Sequence, residues 1–188
     1  MNDINRHIVV VWQSLTTLVG AFATWSLVEK NIISLDIAVA LIMLIAIWVI
    51  ENAYDSAYWY NRNLVIIANI ERQFLKQTDL KDIHYYFGQH RKTGKMITHI
   101  KLQLFLALGI AGLVFFVYLY KTILPNLCDK LTIENYFPIF VLIFGLYRWY
   151  ACHNLYKEKY DEFLKNSPGT TIDTTGLVYG AGHPTSKQ

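Results

Sequence analysis

The sequence predicts an all-α integral membrane protein with four transmembrane helices, the second and fourth of which extend into the cytoplasm. Three observations predict this fold class. First, 54% of the 188 residues are hydrophobic and only 16% are charged, whereas soluble domains carry about 25% charged residues. Second, the apolar residues gather into four runs, each about as long as a membrane-spanning helix. Third, most Lys and Arg residues fall on one side of the predicted membrane, as the positive-inside rule requires.

The four apolar runs are separated by polar segments. The first run has no charged residue, exceeds the apolar region of a signal peptide and lacks a small-residue cleavage site, so we expect it in the mature protein. The last run opens with a proline close to its start, a position that a helix tolerates. The runs cover residues 8–28, 32–50, 102–120 and 137–156.

The second run continues into a long helical segment. No Pro or Gly interrupts the chain from Ile37 to Lys76, so one helix of about 60 Å is predicted at 1.5 Å per residue. This is about twice the hydrocarbon thickness of a bilayer. The part after Ile50 keeps helical periodicity but has one apolar and one polar face. We therefore expect the second span to continue beyond the membrane, and the fourth to do so as far as Asn166.

The positions of Lys and Arg predict the orientation. The outer loops carry only Lys30, Lys121 and Lys130, and all other Lys and Arg residues lie on the opposite side. Both termini and the long middle segment are therefore expected in the cytoplasm. The predicted domains are a first transmembrane hairpin (1–50), a cytoplasmic helical segment (51–101), a second transmembrane hairpin (102–155), and a cytoplasmic helix end with a flexible tail (156–188).

A stripe of polar and small residues follows one face of the first span. Such a face is expected to meet another helix or water, because unpaired polar groups in hydrocarbon are unfavourable. One interpretation is helix packing, with the hydroxyl groups bonded to their own backbone. The alternative is the lining of a pore in an oligomer. The stripe consists of Gln13, Thr16, Thr17, Gly20 and Thr24.

Charged and aromatic residues mark the inner end of the second span. Glu51 and Asp55 precede a group of Tyr and Trp side chains, which suit either an interfacial belt or a subunit contact or gate at the inner mouth. No charged residue lies in the middle of any span. Arg148 in the fourth span comes nearest, and it is expected to reach the inner surface with its long side chain.

The apolar face of the helix beyond Ile50 is a candidate for docking a soluble partner. Apolar residues recur there at steps of three and four, as they do on helices that bind in a groove or a bundle. The predicted docking face comprises Ala57, Tyr60, Leu64, Ile67 and Phe74.

A basic cluster in the middle segment is a candidate for binding lipid headgroups. Each such charge close to an anionic membrane surface contributes about 1 kcal/mol. Binding of a nucleotide, a nucleic acid or an acidic protein is the alternative, but we expect no nucleic-acid partner. The cluster consists of Arg91, Lys92, Lys95 and Lys101.

The sequence predicts no enzyme, metal or cofactor site. The six His residues match no zinc-ligand spacing, and no phosphate-binding loop or catalytic Ser/His/Asp arrangement is present. The predicted topology places Cys128 outside and Cys152 near the inner face, about 30 Å apart. An intramolecular disulfide between them is therefore excluded.

Two short-looped spans followed by a long cytoplasmic helix, residues 8–78, resemble the layout of SLATT-type effectors, which are small bacterial membrane proteins of antiviral defence systems. The four-span layout is similar to that of the membrane subunit of the Kiwa phage-defence system. The extra spans after Lys101 depart from a two-span pattern. No diagnostic motif is shared, so the resemblance implies no site residue. It implies an inner-membrane effector that forms oligomers and permeabilises the membrane on a cytoplasmic signal.

The sequence supports two functional hypotheses. The first is an oligomeric effector of the bacterial inner membrane that acts by permeabilisation or channel formation. The second is a non-conducting membrane anchor or sensor that docks a soluble partner through its cytoplasmic helices. The expected partners are the lipid bilayer, further copies of the chain and a cytoplasmic protein from the same operon.

Overall fold

The computed structural model describes residues 2–74, 96, 98–126 and 131–167, with the backbone alone for residues 2–11, 13–15, 68–69 and 71–74 of the helices. Throughout this part of the chain the structure is helical and contains no strand, which confirms the all-α prediction. The helices are α1 (Asn2–Glu29), α2 (Leu35–Phe74), α3 (Thr98–Tyr118), a π-helical continuation of α3 (Leu119–Ile123), a short 3-10 helix (Ile133–Tyr136) and α4 (Phe137–Lys165).

The turn between α1 and α2 is set by local chemistry. Asn31 adopts a left-handed conformation with φ of 55°, which Asn tolerates better than most residues. Its N–H donates to the Val28 carbonyl, and the Ile32 N–H donates to the Leu27 carbonyl, each across 2.9 Å. These two bonds form a Schellman motif that ends α1. Ser34 then caps α2, because its Oγ accepts the N–H of Ile37 at 3.4 Å.

The described helices fall into two compact units. Of the described residues, the first unit contains 2–54, 96, 98–126 and 131–153, and the second contains 55–74 and 154–167. Helix α2 contributes its first half to the first unit and its second half to the second. The division therefore groups the predicted transmembrane hairpins together, and separately groups the helical ends that continue beyond them.

The core of the first unit is built on α2. Val39 and Met43 of α2 and Tyr118 of α3 are buried together, with partly buried side chains of α3 and α4 packed against them. A second cluster joins Ala46 and Val49 to Ala107, whose small side chains let two helices approach closely.

Two helices are long and apolar enough to cross a membrane: Leu35–Ile67 within α2, and Thr98–Ile123 comprising α3 and its continuation. They differ in burial, since 44% of the most apolar window of the first is buried but only 17% of that of the second. Large apolar side chains of α3 such as Leu113 and Phe116 are each 66% exposed.

Candidate functional site

The candidate site is centred on an ion pair between α2 and α4 in the first unit. The guanidinium Nε of Arg148 donates to the Glu51 Oε1 across 2.5 Å. Glu51 follows the uncharged part of α2, and Arg148 lies within the long apolar part of α4. The side chains remain 43% and 31% exposed, respectively. Two charged groups therefore lie side by side at the surface of an otherwise apolar helix pair.

Aromatic side chains extend the same contact between the two helices. The indole Nε1 of Trp149 donates to the Tyr54 hydroxyl at 2.8 Å. The Tyr54 ring also meets the His153 ring edge to face, with centroids 5.8 Å apart and planes at 84°. We call these five residues, Glu51, Tyr54, Arg148, Trp149 and His153, the α2–α4 seam. Two polar pairs and one ring contact of the seam therefore join α2 to α4.

A second polar cluster lies at the other end of the first unit. Asn135 Nδ2 donates to Asp36 Oδ2 at 3.0 Å, and the Tyr118 hydroxyl donates to the Asn135 main-chain carbonyl. Asp36 is only 8% exposed, and its Oδ1 has no hydrogen-bond partner among the described residues. This cluster fixes the first turn of α2 against the ends of α3 and the 3-10 helix.

The distance between the two polar clusters can be compared with the thickness of a bilayer. Asp36 and Glu51 are 15 positions apart in α2, which corresponds to about 22 Å along the helix axis. The hydrocarbon core of a bilayer is about 30 Å thick. This separation is smaller than the thickness of the hydrocarbon core. If α2 stands upright in the bilayer, at least one of the two clusters would therefore lie within the hydrocarbon core, unless the bilayer were locally thinned.

Two hydroxyl groups of the predicted stripe on α1 are bonded to the backbone of their own helix. The Thr16 hydroxyl donates to the Trp12 carbonyl at 2.9 Å, and the Thr24 hydroxyl donates to the Gly20 carbonyl at 2.8 Å. A Cβ added at Gly20 would lie 3.7 Å from Ile45 Cδ1, so α1 approaches α2 there. Thr17 is half-buried and also has an interaction partner. The Gln13 side chain lies outside the described residues.

The predicted docking face on α2 lies within the second unit. Ala57 and Leu64 are buried, at 7% and 8% exposure, and Tyr60 and Ile67 are half-buried. The side chain of Phe74 lies outside the described residues. Because its central positions are buried by the chain itself, this face could receive a partner only if the helices around it separated.

Side chains of α4 contact α2 within the second unit. The Tyr156 hydroxyl donates to Asp55 Oδ1 at 2.9 Å. The Arg62 guanidinium carbon lies 5.0 Å from the Trp59 ring centroid and 5.3 Å from that of Phe163, both within cation–π range.

The predicted headgroup cluster is described only at its end. Lys101 is exposed in the first turn of α3, while Arg91, Lys92 and Lys95 lie outside the described residues. Cys152 is a buried thiol in α4, and Cys128 lies outside the described part of the chain. In the parts of the chain that the structure describes, no group of three or more His, Cys, Asp or Glu side chains could hold a metal ion.

The sequence marks Glu51 and Arg148 separately but does not show that they form a pair. The sequence did contain a signal for this pair. Glu51 is an isolated acid at the end of the apolar part of α2, and Arg148 is an isolated base within the apolar part of α4. The contacts of Asn135 with Asp36 and Tyr118 had no such signal, since they join residues 99 and 17 positions apart.

Comparisons with known proteins find no match, whether with a protein-family model, a curated protein or a solved structure.

Proposed function

We propose that the chain is a four-span protein of the bacterial inner membrane, with both termini in the cytoplasm, that assembles with copies of itself and permeabilises the membrane. The apolar surface of the first unit supports membrane insertion. α3 is apolar enough to span, yet only 17% of its most apolar window is buried. In a soluble protein, a core helix as apolar as α3 would be mostly buried by the rest of the chain. Helix α4 adds exposed side chains such as Phe140 (63%), Ile143 (59%) and Tyr150 (70%).

The observation that carries the proposal of an oligomer with a water-filled path is the exposure of the Glu51–Arg148 pair. An ionisable side chain that faces hydrocarbon is unfavourable by about 2.5–3.5 kcal/mol at the centre of a spanning helix, and by less toward its inner end, where the seam is predicted to lie. Pairing reduces this penalty, but the two side chains remain 31% and 43% exposed. Such groups normally face the interior of a bundle or water. We therefore place the α2–α4 seam toward neighbouring copies and a water-filled path.

The biological role is proposed from layout. The arrangement of short-looped spans and a long cytoplasmic helix resembles SLATT-type effectors and the membrane subunit of Kiwa. We accordingly propose a role in bacterial antiviral defence, with a cytoplasmic signal or a protein from the same operon as the trigger. The second unit, which contains the helical ends beyond the predicted spans, is the proposed receiver of that signal.

Ion release from liposomes tests the proposal. Purified protein in liposomes is expected to release a trapped ion indicator, and overexpression is expected to arrest growth. Replacing both seam charges by apolar residues of similar length, Glu51→Leu with Arg148→Met, should abolish release without preventing insertion. The control Glu158→Leu with Lys157→Met changes an acid and a base on a helical end outside the predicted span and should preserve release. Intact liposomes with the unmodified protein would refute conduction.

One observation favours the alternative, a non-conducting anchor that docks a soluble partner. The hydroxyls of Thr16 and Thr24 donate to carbonyls of their own helix, so these two groups of the α1 stripe need no water as hydrogen-bond acceptor. Pull-down from cells that express the full operon separates the two functions. Leu64 is buried, so Leu64→Asp combined with Ile67→Asp would test docking and folding together. Ile70 lies between Ile67 and Phe74 of this face and is 51% exposed, so Ile70→Asp introduces a charge beside the face without replacing a buried side chain and should weaken docking.

A further inference from the structure

An apolar cavity opens between α1, α2 and α3 in the first unit. Its volume is about 320 Å³, within the lower range of small-molecule sites. Every side chain that lines it is apolar, including Leu18, Phe22, Trp25, Ile42, Leu113 and Val117. With no polar group to orient a ligand by hydrogen bonds, the cavity suits a flexible hydrocarbon chain.

The cavity lies toward the predicted outer side of the membrane. Its lining residues on α1 occupy positions 18–25 of the 8–28 run, and those on α3 occupy positions 110–117 of the 102–120 run. On α2 it is lined by Ile42, which follows Asp36 by six positions. The lining residues of α1 and α3 therefore lie mostly in the outer halves of their runs, and Ile42 lies near the middle of the run of α2.

Two exposed lysines continue the helices beyond the cavity. Lys121 follows the lining residue Val117 by four positions, about one helical turn on the same side of the helix. Lys30 follows the lining residue Trp25 by five positions, at the end of α1. Two acids flank the turn between α1 and α2. Asp36 is buried and accepts the hydrogen bond of Asn135, whereas Glu29 is exposed. Along the chain, each lysine therefore follows the lining residues of its helix by about one turn or slightly more, on the predicted outer side.

We propose that this cavity holds one acyl chain of an anionic glycerophospholipid, whose phosphate lies between Lys30 and Lys121. The inference depends on membrane insertion of the first unit but not on conduction. The bound lipid fills the gap between three helices, so it acts as a part of the folded first unit rather than as bulk solvent.

Native mass spectrometry of the full chain in detergent tests the proposal, with phosphatidylglycerol or phosphatidylcholine added in parallel. The unmodified protein should retain one phosphatidylglycerol per chain and lose phosphatidylcholine at lower collision energy. Ala21→Phe fills the cavity and should weaken the apparent affinity for phosphatidylglycerol by about tenfold, equivalent to 1.4 kcal/mol. The matched control Ala23→Phe adds the same ring two positions later on the exposed side of α1 and should leave the affinity unchanged.

The lysines are tested separately from the cavity. Lys30→Gln and Lys121→Gln should each weaken phosphatidylglycerol binding by about fivefold, the effect of one charge at a lipid surface. The control Lys157→Gln should have no effect. Equal retention of lipid by the Ala21→Phe and Ala23→Phe variants would overturn the cavity assignment. Equal retention of the two lipids by the unmodified protein would overturn the anionic headgroup. Liposomes that leak while no lipid is retained would leave the proposed function intact and refute only this inference.

Discussion

Asn135 Nδ2 donates to Asp36 Oδ2 across 3.0 Å, and this bond joins the 3-10 helix before α4 to the first turn of α2. Asn135 also accepts the hydroxyl proton of Tyr118 at its carbonyl and two hydrogen bonds from Thr132 at its Oδ1, at 2.7 and 2.8 Å. The side chain and the main-chain carbonyl of Asn135 thus connect α2, α3 and the 3-10 helix at this end of the first unit.

Removing this amide should destabilise the first unit. Asn135→Ala takes the hydrogen-bond donor from a carboxylate that is only 8% exposed, and a buried polar group that loses its partner costs about 1–3 kcal/mol, more when it is charged. Thermal unfolding in detergent should show a lower midpoint. The control Asn126→Ala removes only a local bond to the Thr122 carbonyl and should shift the midpoint less. Equal shifts would contradict the connecting role of Asn135.

Two glycines, Gly109 in α3 and Gly145 in α4, should respond differently to the same substitution. A Cβ at Gly145 would lie 2.9 Å from both Cγ1 and Cδ1 of Ile47, whereas nothing lies within 4 Å of one at Gly109. Gly145→Ala should therefore force Ile47 to move, with a cost of about 1–3 kcal/mol typical of overpacking. Gly109→Ala should be neutral or stabilise the helix by up to about 1 kcal/mol. A midpoint for Gly145→Ala above that of Gly109→Ala would be inconsistent with this packing.

The two charges of the α2–α4 seam should be strongly coupled. Glu51→Gln or Arg148→Gln alone leaves one charge without its partner, while the double variant removes both charges. In lipid nanodiscs we expect the double variant to recover part of the stability lost in each single variant, with a coupling of about 1 kcal/mol or more, above that of most surface pairs. The exposed Lys159 and Glu162 of α4 form the control cycle, with an expected coupling of about 0.2–0.5 kcal/mol. Additive single effects at Glu51 and Arg148 would show that the pair is merely a surface contact.

Helix positions could be predicted from the sequence because they depend on local pattern. The absence of Pro and Gly between Ile37 and Lys76 predicted one helix, and α2 runs from Leu35 to Phe74. The last helix was predicted to continue as far as Asn166, where Ser167-Pro168-Gly169 follow in the sequence, and α4 ends at Lys165. Both features act within a few residues of the backbone that they control.

Contacts between helices could not be predicted in the same way. Periodicity identifies an apolar face but not the helix that covers it. The docking face illustrates this: Ala57 and Leu64 were predicted to meet a partner protein, and they are buried in the second unit. The Glu51–Arg148 pair likewise joins residues 97 positions apart. Only the packing of α4 beside α2 brings its two charges together.

The proposals depend on the four-span topology, which cysteine labelling in intact cells tests most directly. In a chain with Cys128→Ser and Cys152→Ala, a membrane-impermeant maleimide should label Asn31→Cys and Glu134→Cys from outside. It should label Lys101→Cys and Lys157→Cys only after the membrane is permeabilised. All four positions are exposed, so access to the reagent reports the side of the membrane. Labelling of position 101 or 157 in intact cells, or protection of position 31 or 134 until permeabilisation, would contradict the topology.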